Sequence, residues 1–533
     1  MNTTHILHDS RVFPSVKSTD PKTTPLSILD AKCARFSPTG AVWLFDQYPS
    51  GVEESCFIER LRLALIETLN LFPHLAGQLQ WAKVRLGGNH TERFNRPLVK
   101  HGTECDPGVE WKVVRHPCLL SSLVPTPDER SKDSGVWIGS AFPQRALLSQ
   151  TPLALHNLHD SEGLPAVSIQ INLFPNKGYA IGVKIAHPLA DAHSLMIFVA
   201  QWAKNSQTHF GCGSHSQILS PVFAPWQLDS RAAGDIDGDT ADPKICSIAR
   251  DLPLHRYDWW DTSAPGYNPL FIPTTENSRP PPEQIGKAGI SPSTRAPWES
   301  WDLSRPVAYA LLHFTGAELD KMKATARAAP NARADISRLD ALLAHLFRTV
   351  NQARSHILSK AGVMTEVEEV YLNVTLDARR RVSPPLPDAF VGSPLFLSHI
   401  KAAAAGSEVC SGLGALASDL RQTLGRFTPD AVAALLHDAA HEASPQRLWQ
   451  AFVGARHLLA TSWLRLPLPL HGVDFDGSGR RPRYVHPAME KIDGIVLVMD
   501  AQVADRGVDV GLYLDEEAMA ALLENEELRR FRV

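Results

Sequence analysis

The chain has 533 residues, of which 44% are hydrophobic and 21% charged, so it has the composition of a globular protein and is too long for one compact core. Two domains are therefore predicted. The net charge of −4 at pH 7 provides no basic surface field, so we expect neither nucleic acid nor a membrane among the partners. No stretch reaches the roughly 18 uninterrupted apolar residues that a membrane-spanning helix requires.

The N-terminal segment 1–25 is a polar lead-in with charges and prolines, and it lacks the apolar run of a secretory signal. The seven cysteines are scattered, odd in number and without a Cys-x-x-Cys pair. This pattern favours reduced thiols in an intracellular protein over a disulfide framework or a zinc ribbon. We therefore expect a cytoplasmic protein.

The first 150 residues mix predicted strands with helices. Ordered structure is expected from 26–30 onward, with a strand at 41–45 and a helix at 58–71 whose apolar residues share one face. Proline and glycine in 72–79 end that helix and turn the chain. The signals between 80 and 150 are weak and indicate short strand-like pieces in polar loops.

A predicted hairpin and helix surround the most informative stretch. Apolar residues alternate over 167–173 and again over 179–185, and the Pro-Asn-Lys-Gly turn between them predicts an antiparallel pair. The second strand ends at His187-Pro-Leu-Ala-Asp191, and a helix with one buried face continues through Trp202. Function concentrates in loops at strand ends, so His187 is the candidate catalytic residue.

From about 206 to 305 the composition changes to turn and linker residues, which predicts a long crossover between two domains, packed on the surface in places. Disorder in part of this segment is the alternative. Regular patterns then resume and predict strands at 307–314, 370–376, 494–499 and 507–514, and helices that begin at Ser337, Leu413, Thr428 and Glu516. The predicted fold class is α/β or α+β with mixed sheets. The predicted division is 1–205, 206–305 and 306–533.

The residues themselves leave several chemistries open. A neutral His187 could take a proton from a substrate hydroxyl, an effect of about 10²- to 10⁴-fold in rate. Asp191 could orient the imidazole or be a structural carboxylate at the helix start, and spacing favours neither. A metal site of His187, Asp191 and His193 is disfavoured, because Pro188 interrupts helical spacing and no other ligand cluster accompanies it. The chain has no Gly-x-Ser-x-Gly motif and no Walker loop, so neither a serine hydrolase nor a nucleotide-driven enzyme is supported.

The HPLAD segment and its helix resemble the HxxxD region of the BAHD acyltransferases, particularly those of filamentous fungi. HxxxD alone is a common pattern, but four further segments match the family in its order: LSILD at 26–30, FPHLAGQL at 72–79, SRLDALLAHLFR at 337–348, and NVTLDARRR with PPLP and a glycine at 373–392.

Several positions depart from the family pattern. Ala192 stands where the family usually has glycine, Phe390 replaces a tyrosine, and Ser393 replaces an asparagine. The segment Asp474–Gly479 reads DFDGSG where the family has DFGWG. This difference concerns the coenzyme A side of the family's channel and not the candidate base.

The resemblance implies two chloramphenicol-acetyltransferase-like domains with a channel between them. It also implies acyl transfer from an acyl-CoA to a hydroxyl or an amine of a small secondary metabolite. His187 would deprotonate the acceptor, which would attack the thioester directly without an acyl-enzyme. Acyl-CoA would be a co-substrate, with no permanently bound cofactor and no metal, and the protein would act as a monomer.

The family also implies roles for other residues. Asp191 would turn away from the substrate and pair with an arginine, and Arg338 is our candidate because such a pair would tie the two domains together. Arg379 and Arg381 could contact coenzyme A phosphates or brace their strand, and the bracing role is favoured. Asp474 belongs to the DFGWG-like loop, which is largely structural in the family.

Two other functions would be compatible with this fold. A condensation-type domain takes acyl groups from a carrier protein, but typically has a second histidine where Ala186 stands here. A catalytically inactive homologue with a binding role is the other alternative, and the presence of both His187 and Asp191 counts against it.

Overall fold

The computed structural model describes residues 4–16, 20–132, 134–212, 219–285, 289–360, 368–405, 408–409 and 412–532. Cys410 and two pieces of the predicted crossover, 213–218 and 286–288, lie outside the described residues.

The strands of the described residues are, in chain order, β1 His5–Val12, β2 Lys22–Pro25, β3 Thr39–Phe45, β4 Gln78–Trp81, β5 Pro97–His101, β6 Val109–Arg115, β7 Val136–Ile138, β8 Val167–Leu173, β9 Tyr179–Ile185, β10 Tyr257–Asp258, β11 Val307–Phe314, β12 Glu368–Asp377, β13 Leu395–Ala405, β14 Glu408–Val409, β15 Leu448–Trp449, β16 His457–Trp463, β17 Tyr484–Pro487, β18 Ile495–Asp500 and β19 Val508–Asp515. The α-helices are α1 Ile28–Lys32, α2 Glu54–Leu69, α3 Pro127–Ser131, α4 Gln144–Leu147, α5 Ala192–His209, α6 Trp226–Asp229, α7 Pro243–Arg250, α8 Ile272–Glu276, α9 Gly316–Arg327, α10 Arg338–Lys360, α11 Leu413–Gly425, α12 Pro429–Ala440 and α13 Glu516–Glu524.

Two large mixed sheets form the frame of the molecule. The first has the strand order β1-β6-β8-β9-β3-β17, and the second has the order β14-β13-β12-β16-β18-β19-β11-β7. In the first sheet only β6 and β8 run parallel, and in the second β16 runs parallel to both β12 and β18. The mixed α/β class predicted from the sequence is therefore confirmed.

Each large sheet contains one strand from the other half of the sequence. β17 lies in the second half of the sequence but pairs with β3 of the first sheet. β7 lies in the first half but pairs with β11 of the second sheet. The chain therefore passes between the sheets more often than the predicted division into 1–205, 206–305 and 306–533 implies. That division stays a prediction.

The predicted hairpin is confirmed, since β8 pairs antiparallel with β9 from Val167 opposite Ile185 onward. The buried face of the following helix α5 joins α2 and the first sheet in one apolar core. Within it, the indole nitrogen of Trp202 donates to the carbonyl of Leu61 at 2.9 Å. This packing fixes the point at which β9 ends, and therefore the position of His187.

Two capping signals in the second half are also confirmed. The Ser337 hydroxyl accepts the main-chain N–H of Asp340, and the Asp340 carboxylate accepts that of Ser337, so the two residues satisfy donors at the start of α10. The Thr428 hydroxyl caps α12, whose first residue is Pro429. Among the described residues, no helix combines the length and apolar composition that crossing a membrane requires.

The expectation of an irregular lead-in is wrong. The lead-in 1–25 contains β1 and β2, and β1 is an edge strand with mostly exposed side chains that main-chain pairing with β6 holds in place. Apolar alternation is absent there because neither side of such a strand has to be buried. The crossover includes helices and an aromatic core of its own, which contains Trp259 and Trp298 together with Phe452.

Candidate functional site

His187 stands where β9 leaves the first sheet. Pro188 follows it in a short 3₁₀ turn over His187–Leu189, which ends when the Ala190 N–H bonds to the His187 carbonyl. Asp191 then begins α5 as its N-cap, with its carboxylate accepting the Ser194 N–H at 2.9 Å. The strand, the proline turn and the cap together leave the His187 side chain little freedom of position.

The hydrogen bonds of the His187 ring determine which nitrogen can act as a base. The Ser393 hydroxyl donates its only proton to the main-chain carbonyl of His187. Its oxygen lies 3.2 Å from Nδ1 and can therefore only accept, which places the ring proton on Nδ1. Nε2 is left with a lone pair, and none of the described residues donates a hydrogen bond to it. This is the tautomer that a general base requires.

The surroundings of the ring keep it neutral. Burial lowers the pKa of His187 to about 4, although the hydrogen bond to its own main chain and the charge of Asp191 oppose this shift. The edge of the ring meets Phe36, whose centroid lies 5.0 Å away, and Phe36 in turn meets Trp449 at 5.0 Å. One side of the candidate base is therefore an aromatic wall.

Among the described residues, the Asp191 carboxylate makes no hydrogen bond to the His187 ring and forms a buried ion pair with Arg379. The Asp191 carboxylate receives Arg379 Nη1 at 2.6 Å and Nη2 at 3.0 Å, a bidentate arrangement between side chains that are almost completely buried. Burial would raise the pKa of Asp191, but the Arg379 guanidinium outweighs it and lowers the pKa.

The pairing predicted for Arg338 is wrong. Its guanidinium lies at the surface and binds Asp320 through two contacts of 2.7 and 2.6 Å. Arg338 is the first residue of α10, and its side chain points back to α9 instead of to the first half of the chain. The partner that ties the halves together is Arg379, at the end of β12.

The remaining donors of Arg379 are also occupied. Its guanidinium donates to the carbonyl of Phe390, to the hydroxyl of Ser194 and to Asp377 at 3.0 to 3.2 Å. Arg379 is therefore part of the bracing and has no donor free for a coenzyme A phosphate. Arg381 donates to the carbonyl of Leu424 at 2.9 Å and braces α11 in the same way.

The segment 390–393 closes over the HxxxD loop. The Gly392 carbonyl accepts the Asp191 N–H at 3.1 Å, and the Ser194 hydroxyl contacts both main-chain groups of Gly392. The Ser393 N–H donates to Asp30 at 2.6 Å, and burial raises the pKa of that carboxyl to about 7. Residues far apart in the chain thus position His187 jointly.

Sequence reasoning missed the roles of Ser393 and Asp30. Ser393 was visible only as a departure from the family's asparagine, and Asp30 only as the acidic end of the LSILD segment. The Ser27–Asp30 capping box was a readable signal, because Asp30 accepts the Ser27 N–H at 2.9 Å. The contact between Asp30 and Ser393 had no local signal.

Asp474 organises its own loop. Its carboxylate accepts the main-chain N–H groups of Asp476, Gly477 and Gly479 at 2.8 to 3.1 Å, and Gln207 of α5 donates to its carbonyl. These contacts hold the loop against the end of α5. They give Asp474 no contact with His187.

The alternative of a metal at the HxxxD loop finds no support in the geometry. Both oxygens of Asp191 are taken by Arg379, and His193 Nε2 bonds to the Asp388 carbonyl at 2.7 Å. Within the part of the chain that the structure describes, no group of three histidine, cysteine or acidic side chains is arranged to hold a metal ion.

The sequence of this chain is similar to those of known transferases. A family model described as Transferase family matches residues 3–88 and 282–529. Acyltransferase AFT15-1 of Alternaria alternata is 25% identical over 98% of this chain and 96% of its own length. Acyltransferase abl6 of Leptosphaeria maculans is 25% identical over 98% of this chain and 97% of its own length.

Solved structures share the fold. TRI101 of F. graminearum, complexed with coenzyme A and T-2 mycotoxin, matches with a TM-score of 0.62 at 15% identity, covering 96% of this chain and 98% of that one. Vinorine synthase matches with a TM-score of 0.57 at 17% identity, covering 99% and 98%.

Proposed function

Since this chain belongs to the Transferase family of BAHD acyltransferases and is itself an acyltransferase, we propose that it transfers an acyl group from coenzyme A to a hydroxyl of a small secondary metabolite, with His187 as the general base. The observation that carries this proposal is the state of the His187 ring. Nδ1 is held by Ser393, Nε2 is free, and burial keeps the ring unprotonated at neutral pH. We propose the cytoplasm as its location.

The proposed reaction needs one proton acceptor and no covalent enzyme intermediate. Nε2 of His187 takes the proton of the acceptor hydroxyl as its oxygen attacks the thioester carbonyl. When the tetrahedral intermediate collapses, the carbon–sulfur bond breaks and the thiolate of coenzyme A takes the proton back from the imidazolium. The new ester and free coenzyme A leave, and His187 is neutral again.

The buried pair supports this reaction from a distance. Asp191 and Arg379 hold the loop after His187 and the segment over it, but their hydrogen bonds are used within the protein. Asp191 is therefore a positioning residue, and the charge that develops on the imidazole is not neutralised by direct contact with it.

The proposal predicts release of free thiol. Purified protein, incubated with acetyl-CoA and a panel of fungal alcohols, should release coenzyme A in proportion to ester formed, measured with a thiol reagent and by mass spectrometry. A parallel panel of amines tests transfer to nitrogen. If no coenzyme A thioester supports turnover while an acylated carrier protein does, the condensation-type alternative is correct and this proposal fails.

A second prediction concerns Ser393. Replacing Ser393 with alanine removes the acceptor that fixes the Nδ1–H tautomer, so kcat/KM should fall about 3- to 10-fold, the effect of one hydrogen bond worth about 1 kcal/mol. Nitrogen NMR of the ring should show Nδ1 protonated in the parent protein and a mixture of tautomers in Ser393→Ala.

Ser398→Ala is the matched control for that variant. Ser398 is also a buried serine, and its hydroxyl donates to the Pro253 carbonyl at 3.0 Å instead of contacting His187. It should leave both kcat/KM and the ring tautomer unchanged. An unaltered tautomer in Ser393→Ala would refute the positioning role.

A further inference from the structure

A pocket that is partly open to solvent lies beside α1. Lys32 of α1 and the end of α7 contribute to its lining, together with α12 and the stretch that leads into β15. Much of the lining is apolar, as with Leu252, Leu254, Leu435 and Leu448. The other half of the lining is polar or charged, and clefts that combine apolar walls with placed polar groups are typical of small-molecule sites.

Lys32 is the one cation of this lining without a partner among the described residues, since its ammonium makes no hydrogen bond and no ion pair there. The two carboxylates that face the cavity are already neutralised. Asp438 binds Arg250 at 2.8 Å and Arg256 at 2.7 Å, and Glu442 binds Arg447 at 2.8 Å. One positive charge is left without a direct partner at the wall of the pocket.

Lys32 is half-buried, so its charge is partly removed from water and would gain from a balancing anion. Burial lowers the pKa of Lys32 to about 8, and the neighbouring Arg256 acts in the same direction, although Asp438 and Glu442 oppose them. The amine is still mostly protonated at pH 7. A bound anion would supply a hydrogen-bond acceptor for it.

We propose that this cavity binds a small organic monocarboxylate, with its carboxylate on the Lys32 ammonium and its apolar chain against the leucines. The single ammonium of Lys32 that lacks a partner can pair with a single carboxylate. The apolar walls match an aliphatic body and would not match inorganic phosphate, which has oxygens on every side.

The cavity is separate from the acyl-transfer site. Leu448 and Gln450 line it, whereas Trp449 between them meets Phe36, and Phe36 meets His187. Neighbouring side chains of an extended segment point to opposite sides. The Trp449 side chain therefore points towards Phe36 and away from this pocket, and we infer that a ligand of the pocket is not the group that receives the acyl chain.

Isothermal titration of the full-length protein with octanoate tests this inference without any acyl transfer, so its result is independent of the proposed function. Octanoate should bind saturably at one site, and octanol and inorganic phosphate should each bind at least about tenfold more weakly. Equal binding of octanol and octanoate would overturn the proposal, as would binding of phosphate without octanoate.

Variants locate the site. Lys32→Met keeps the length of the side chain and should weaken octanoate binding at least about tenfold, whereas Lys32→Arg should retain it. Lys321→Met, at an exposed lysine of α9, is the matched control. Without ligand, Lys32→Met should melt no lower than the parent, because it removes a half-buried charge that has no direct partner. Undiminished octanoate binding by folded Lys32→Met would place the ligand elsewhere and refute the proposal.

Discussion

Replacing His187 with alanine is expected to abolish nearly all acyl transfer, with kcat lower by about 10²- to 10⁴-fold, while the protein folds as before. The reaction loses its proton acceptor, and no other described side chain takes the place of Nε2. The structural loss is small, because the ring contacts chiefly Ser393 and the edge of Phe36. Thiol release measures the rate, and circular dichroism with thermal melting checks the fold.

His193→Ala is the control for this variant. His193 lies on the same loop, but its Nε2 is engaged with the Asp388 carbonyl, so the rate should stay within a few-fold of the parent. The pH profile of the parent checks the base independently. With a pKa of about 4, His187 gains a proton only in acid, so kcat/KM should fall near pH 4 and not near 6.5. Comparable turnover by His187→Ala would refute the assignment.

The site could be predicted from the sequence as far as local patterns extend. Strand alternation, the proline turn and the apolar face of α5 together placed His187 at the end of β9. The arginine partner was missed because the contact spans 188 residues between Asp191 and Arg379. Periodicity assigns a residue to a face of its own element, and it says nothing about which distant element covers that face.

The elements of the fold could likewise be predicted only where the sequence carries a local pattern. Elements with a buried apolar face, such as α10 and the β8–β9 hairpin, were readable because burial imposes a period on the sequence. β1 and β7 were not, since an exposed edge strand and a three-residue strand are held by main-chain hydrogen bonds that any sequence can make. The aromatic core of the crossover was missed because Trp259 and Trp298 stand in proline-rich segments without a period.

Breaking the buried ion pair should destabilise the protein more than any other single change considered above. Arg379→Met leaves the Asp191 carboxylate buried without its partner, and losing one member of such a pair costs about 3–5 kcal/mol. Asp191→Asn keeps the cap on α5 but leaves the guanidinium unpaired, so it should lower stability as well as rate. Urea unfolding of each variant measures the free energy of unfolding, and thiol release measures the activity of the folded fraction.

The double variant and a surface control decide whether the pair is the cause. Asp191→Asn combined with Arg379→Met removes both charges, so it should cost less than the sum of the single variants. Arg338→Met breaks only the exposed contact with Asp320 and should leave stability unchanged within measurement. If Arg338→Met were as destabilising as Arg379→Met, the ion pair at the HxxxD loop would contribute no more to stability than an exposed one. If Asp191→Asn slowed transfer without any loss of stability, Asp191 would act on the imidazole directly, and the role of His187 as an independently held base would have to be abandoned.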